Sequence, residues 1–203
     1  MKLRLLLILI GCSILLSGLH AQGGDYASLK VINPRYPDNP TMKALSSTAY
    51  PICITVPIGV MAVSLITDNK KGKQVAYELM GGLIVTSATT GVLKKLVNRP
   101  RPYETYNDIY PNYRETGNSF PSGHTALAFS TATSLLLTTE KWYFAAPAYV
   151  WAIGVGYSRI YLGQHYPSDV LAGAVTGAAG AYLTHIINKK WLHPVRKKTV
   201  QLP

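Results

Sequence analysis

Five stretches with little or no charge divide the chain. Residues 44–67 carry no charged side chain over 24 positions, residues 75–93 carry only Glu78, and residues 125–139, 142–158 and 170–188 carry none. A membrane-crossing helix needs ~20 apolar residues, with a range of about 17–25. Stretches 44–67, 142–158 and 170–188 meet that length. Stretch 125–139 reaches it only by starting at Ser122, and 75–93 contains the glutamate. No run alternates with strand period over a useful length, and no internal repeat is present. The pattern predicts an all-α chain, a membrane-embedded bundle of five to six helices over residues 44–188. Gly, Ala, Thr and Ser crowd these stretches and hold the mean hydropathy to +0.13. Small residues of this kind let helices approach closely in membranes.

The two ends differ from the middle. Lys2 and Arg4 precede an apolar run over 5–19, and Ala21 closes it. That is the form of an export signal, read either as a peptide cut after Ala21 or as a retained signal-anchor helix over 1–21. Acylation at Cys12 is the weaker reading, because the apolar run continues well past it. Residues 22–43 are polar, carry Pro34, Pro37 and Pro40, and predict an exposed lead-in. Residues 189–203 predict a basic cytoplasmic tail.

Charge sharpens this picture. The 203 residues include 20 Lys and Arg against 9 Asp and Glu, for a net charge of +11, yet only 14% of residues are charged. Length implies one domain, and a hydrophobic share of 48% excludes a disordered chain. If the N-terminus starts inside and every stretch crosses, the inner side holds 11 basic and two acidic residues, and the outer side nine and six. An inner excess of Lys and Arg is what membrane insertion requires. The basic balance therefore needs no nucleic acid, and no nucleic-acid module is visible. The Lys-rich tail suits anionic lipid head groups instead. No protein partner is evident. Cys12 and Cys53 are too few for a disulfide scaffold or a thiolate zinc site.

Three stretches are polar beyond any packing need: Lys94-x6-Arg101-Pro102, Pro121-Ser122-Gly123-His124, and Ser158-Arg159-x5-His165-x3-Asp169. The topology, argued without them, puts all three on the outer side. Arg suits forked contacts with phosphate oxygens, and Lys a point-charge contact. Pro121 to His124 reads as a helix start whose free N–H groups form an anion seat. His124 and His165 supply proton transfer or nucleophilic attack near neutral pH. Asp169 lies one helical turn beyond His165, where it can orient the imidazole and leave the other ring nitrogen free to attack. Taken singly, each piece has a plain reading as a structural histidine, a membrane-boundary cation or a helix start. Taken together, they describe phosphoryl transfer through a covalent histidine.

The three stretches resemble the signature of the type 2 phosphatidic acid phosphatase family, which shares its fold with class A acid phosphatases and vanadium haloperoxidases. Every specified position of the family pattern is matched in order over residues 94–169. The resemblance implies that His165 is the nucleophile, Asp169 its holder, and His124 the acid and then the base. It implies that Lys94, Arg101, Ser122, the Gly123 N–H and Arg159 bind the phosphate. It also implies that no metal and no cofactor takes part. The expected substrate is a lipid phosphate or lipid pyrophosphate at the outer, periplasmic or exterior face. A soluble acid phosphatase, a phosphotransferase, a haloperoxidase and a non-catalytic scaffold are the rival readings. Two histidines in opposite protonation states predict a bell-shaped pH profile.

Four further features are read apart from the motifs. Tyr103, Tyr106, Tyr110 and Tyr113 mark an interfacial cap, or a lip that reads a head group. Lys95 and Arg99 read as solvated helix-end charges. Glu78 reads equally as a functional group at membrane depth and as one with a partner inside the bundle, and His185 is expected near the inner end of the last helix.

Overall fold

The computed structural model describes residues 22–139 and 142–189. The signal or anchor expected over 1–21 and the basic tail beyond Lys189 lie outside them. Six helices run as α1 (Gln22–Ile32), α2 (Pro40–Ile66), α3 (Lys70–Val97), α4 (Gly123–Thr139), α5 (Trp142–Tyr161) and α6 (Pro167–Ile187). A single helical turn, Pro102–Thr105, lies in the long α3–α4 connection. Each of the five charge-poor stretches became one of α2 to α6.

Local chemistry sets the ends of these helices. Asn39 caps α2, accepting from the Thr41 and Met42 N–H groups at 2.9 and 3.2 Å, with Pro40 in the first turn. Asn69 caps α3 by accepting from Gly72 at 3.1 Å. At the other end of α3, Asn98 takes a left-handed conformation with φ 48° and stops the helix. The bundle therefore begins four residues before the expected position 44.

α4 is the central helix, with α2, α3, α5 and α6 packed around it. Its buried side chains are small: Thr125, Ala126, Ala128, Ser130, Ala132 and Ser134. α6 comes close enough that a Cβ on Gly177 would stand 2.0 Å from the Ala126 carbonyl oxygen. Only glycine fits there. The large apolar side chains point the other way. Ile54, Ile58 and Val63 on α2, Ile84 and Leu96 on α3, Val150 and Ile153 on α5, and Leu171 on α6 are all exposed. Small residues inside and large apolar residues outside suit a lipid surround, where packing and not apolar burial joins the helices. Among the described helices, α2 and α6 are long and apolar enough to cross a membrane.

Glu78 does have a partner inside the bundle. His185 Nδ1 lies 2.7 Å from one carboxylate oxygen, and Asn188 Nδ2 donates to the other at 2.6 Å. These residues join α3 to the C-terminal end of α6.

The lead-in expected over 22–43 is mostly exposed, but part of it is docked on the bundle. Residues 22–32 form α1, whose Leu29 is fully buried against Ile109, Ile160 and Tyr166. Asn33 gives its amide to the carbonyls of Tyr110 and Tyr161 at 2.9 and 2.8 Å and accepts from the Tyr110 N–H at 2.8 Å. The polar residues of this segment were read as facing water. Several of them instead satisfy backbone groups that a buried loop would leave unpaired.

Candidate active site

The three polar stretches meet at one end of the bundle. Lys94 arrives on the last turn of α3, Arg101 on the connection after it, His124 on the first turn of α4, and Arg159 on the last turn of α5. His165 lies in the short α5–α6 connection and Asp169 in the first turn of α6. That connection turns sharply at Gly163, which has φ +68°, and a Cβ there would meet the Tyr110 carbonyl oxygen at 2.5 Å. A glycine at this point brings His165 back over the bundle within six residues of Arg159.

His165 and Asp169 are 1% and 0% exposed. Their closest approach, Nδ1 to Oδ2, is 3.6 Å, too long for a hydrogen bond. Ser119 closes the gap. Its hydroxyl donates to Asp169 Oδ2 at 2.5 Å and lies 3.3 Å from His165 Nδ1. With that proton committed to the carboxylate, the Ser119 oxygen is free to accept from Nδ1–H. Ser119 thus stands between Asp169 and His165, and with Nδ1 as the donor in this chain the neutral imidazole carries its free lone pair on Nε2.

Asp169 has other partners. Its carboxylate accepts the Tyr166 N–H at 3.0 Å, which caps α6, and pairs with Arg99 at 2.8 Å. Arg99 also pairs with Asp25 of α1 at 2.8 Å and lies 3.7 Å over the ring of Tyr166. It is not the solvated helix-end charge expected of it. Burial between two carboxylates and an aromatic face makes it the brace of the Asp169 carboxylate. Lys95, in contrast, is exposed as expected.

The cations are set in a frame of carbonyls and hydroxyls. Arg101 donates from Nε to Gly117 O at 3.0 Å and from Nη1 to Gln164 O at 3.1 Å, next to His165. Arg159, fully buried, donates to Ser46 Oγ at 2.7 Å, and its Nε has no partner. Lys94 donates to the Asn118 carbonyl, and Asn118 Nδ2 returns a bond to Lys94 O at 2.8 Å. His124 packs edge-on against Tyr50 with ring centroids 4.4 Å apart, within electrostatic reach of Arg159, Arg101 and His165. Ser122 is fully buried. Its hydroxyl is paired with Thr125 Oγ1 at 2.9 Å and its N–H with the Asp169 carbonyl at 3.0 Å. Through its N–H Ser122 therefore fastens α4 to α6 here. A Cβ built on Gly123 would stand 3.7 Å from the Tyr50 hydroxyl.

Comparison with known proteins fits this arrangement. A model of the PAP2 superfamily matches residues 76–192, more than half of the chain. The chain belongs to the PAP2 superfamily. Its relatives include an undecaprenyl-diphosphatase of Sulfolobus acidocaldarius, 29% identical over 128 residues, 63% of this chain and 62% of that one. A lipid A 4'-phosphatase of Bacteroides thetaiotaomicron is 36% identical over 104 residues, 48% of this chain and 46% of that one. The match thus spans less than two thirds of these relatives' length. The crystal structure of Aquifex aeolicus LpxE superposes with a TM-score of 0.64 at 27% identity, over 78% of this chain and 92% of that one. A transmembrane PAP2-type phosphatidylglycerolphosphate phosphatase from Bacillus subtilis superposes with a TM-score of 0.68 at 23% identity, over 91% and 96%, a likeness of fold. The all-α bundle is accordingly a membrane-embedded PAP2 fold.

Within this PAP2 chain, sequence reasoning missed Ser119, Glu115 and Asp25 and misread Arg99. A local signal was available for two of them: Ser119 lies two residues before Pro121, and Arg99 falls among the six unspecified positions between Lys94 and Arg101. Asp25 carried none, because 74 positions separate it from Arg99. Asp25→Asn is expected to cost about 1–3 kcal/mol, the range for a buried hydrogen-bonded group losing its partner. The Ser168 N–H, held by Asp25 at 2.9 Å, loses a charged acceptor at the same time. Thermal unfolding in detergent measures the loss, and an unchanged melting temperature would refute the bracing role of α1.

Proposed function

We propose that this chain is a metal-independent phosphatase. It hydrolyses a lipid phosphate or a lipid pyrophosphate through a phosphohistidine, releasing the terminal phosphate. One observation carries this reading. A buried histidine, with Nδ1 tied through Ser119 to a carboxylate, stands among elements that also carry Lys94, Arg101 and Arg159. His165 Nε2 attacks phosphorus, and the bond to the leaving oxygen breaks. His124 gives that oxygen its proton. Water then attacks the phosphohistidine as His124 takes a proton back, the P–N bond breaks, and phosphate leaves. The cations neutralise charge on the non-bridging oxygens, and one such donor is typically worth ~10²–10³ in rate. The exposed apolar flanks of the bundle support a substrate whose tail stays in the bilayer. The inner excess of Lys and Arg supports an outward-facing site. Relatives that act on undecaprenyl diphosphate and lipid A support lipid head groups of this class.

Phosphate release from a panel of lipid monoesters and pyrophosphates, with a soluble aryl phosphate beside them and EDTA throughout, tests the reading. Release from a lipid despite EDTA is expected. Release from the aryl ester alone defeats the lipid assignment, and release abolished by EDTA defeats metal independence. The pH profile carries a second expectation. Burial first, and then Arg159, lower the His165 pKa to about 4, against the opposing pull of Asp169. The nucleophile must be neutral, so on the acid side activity falls as pH drops through that value. The acid limb should lie well below the ~6.5 of a free imidazole.

A further inference from the structure

Of the three histidines among the described residues, two are held through a ring nitrogen. Ser119 Oγ lies 3.3 Å from His165 Nδ1, and Glu78 Oε2 lies 2.7 Å from His185 Nδ1. Among the same residues, no hydrogen bond holds the ring of His124. Its contact is with Tyr50 of α2, whose ring meets it edge-on, with centroids 4.4 Å apart and planes at 61°. The Tyr50 hydroxyl reaches the first turn of α4, 3.7 Å from where a Cβ on Gly123 would stand. Tyr50 belongs to none of the three motifs.

α2 is pinned to the bundle on both sides of Tyr50. Ser46 accepts from Arg159 Nη1 at 2.7 Å, Thr48 accepts from the Trp151 indole at 3.1 Å, and the Cys53 sulfur accepts from Thr131 at 3.3 Å. Arg159 is fixed in turn, since Glu115 pairs with it at 2.5 Å and with Arg101 at 2.8 Å. A ring carried on so firmly placed a turn can hold another ring still. Edge-to-face contact between aromatic rings depends on their orientation, and a reacting group needs a side-chain conformation locked by its neighbours.

We propose that Tyr50 is the positioning residue of the acid: its ring aims the His124 imidazole at the leaving oxygen. The proposal rests on the phosphatase reading of the site. As the bond from His165 to phosphorus forms, the bond from phosphorus to the leaving oxygen breaks, and the proton of His124 passes to that oxygen. The need for this proton depends on the leaving group. An alkoxide is strongly basic and departs only with a proton, whereas a nitrophenoxide is weakly basic and departs as the anion. A misaimed acid therefore slows an alkyl ester and spares the nitrophenyl ester. A lost binding group or a damaged fold slows both.

The test compares kcat/KM for dodecyl phosphate and p-nitrophenyl phosphate, with the full chain in detergent. This ratio reads the steps up to departure of the first product, so the later attack of water does not enter. Tyr50→Leu should lower it for dodecyl phosphate by about ten- to a hundredfold, the cost of misplacing a reacting group by about 1 Å. For p-nitrophenyl phosphate it should stay within about twofold, since that leaving group needs no acid. Tyr50→Phe keeps the ring and should keep both values. Tyr50→Ala should behave as the leucine variant does, and it decides the matter if the leucine variant does not fold. In a His124→Ala background the acid is gone, and Tyr50→Leu should then add no further loss, as for two residues acting as one. Equal losses on both esters overturn the proposal, and so does a loss in Tyr50→Phe that matches Tyr50→Leu. An undiminished loss in the His124→Ala background also overturns it, because Tyr50 then acts on the alkyl chain and not on the acid. Failure of the phosphatase reading looks different, since wild type then releases phosphate from neither ester.

Discussion

His165→Ala will abolish phosphate release while leaving phosphate binding largely intact. Removing a nucleophile from a covalent mechanism commonly costs ~10⁶ in turnover, with only the electrostatic contribution remaining. The binding groups sit elsewhere: Lys94 on α3, Arg101 after it and Arg159 on α5. Truncation of the imidazole does not remove their carbonyl and hydroxyl partners. Turnover by malachite-green release, paired with calorimetric phosphate binding, separates loss of chemistry from loss of the site. A second arm reads the intermediate directly. Rapid mixing with a ³²P-labelled substrate and quenching in base should trap label on the wild-type protein, since phosphohistidine survives base, and none on the variant. Residual turnover within tenfold of wild type would sink the nucleophile assignment.

Asp169→Asn should be nearly as damaging to activity, and it should also destabilise the fold. An amide in place of the carboxylate can donate to Ser119, reversing the direction of the relay and removing the acceptor that keeps Nδ1 protonated. A wrong tautomer of this kind costs ~10²–10⁴ in turnover in comparable histidine systems. The structural loss comes from three other contacts. Asp169 caps α6 through the Tyr166 N–H, accepts from Ser119 and neutralises Arg99. Stripping one partner from a buried ion pair costs about 3–5 kcal/mol. Here Asp25 still pairs with Arg99 and softens the loss. The variant should therefore fold, melt lower and turn over slowly with nearly unchanged phosphate affinity. A drop in affinity as large as the drop in turnover would move Asp169 from positioning the nucleophile to binding the phosphate.

The bundle was legible because helix formation in a membrane is a local demand. Backbone groups without water must bond within their own segment, so uncharged runs announce α2 to α6 directly. The boundaries were less legible. α3 begins at Lys70 and takes in Lys71 and Lys73, because long basic side chains at a helix end reach back toward water. α1 was hidden for another reason. Its apolar face is short, and its value to the fold lies in Asp25 and in Asn33 just past its end, polar residues that composition assigns to solvent. The cations and histidines were legible as residue types, since fixed spacings announced them. Their partners were not, because hydrogen-bond partners far apart in the chain leave no periodic trace.

The sequence by itself determined an all-helical chain, the end of the bundle at which its chemistry gathers, and the PAP2 motif residues that gather there. Periodicity, charge placement and motif spacing are properties of neighbouring residues, and they survive without a fold. The tertiary structure decided that Ser119 stands between His165 and Asp169, that Arg99 and Asp25 brace the carboxylate, that Ser122 turns to Thr125, and that Glu115 lies across Arg101 and Arg159. Each of these depends on ångström distances between groups on different helices. Such distances are fixed only when the small residues of α4 and α6 close the bundle.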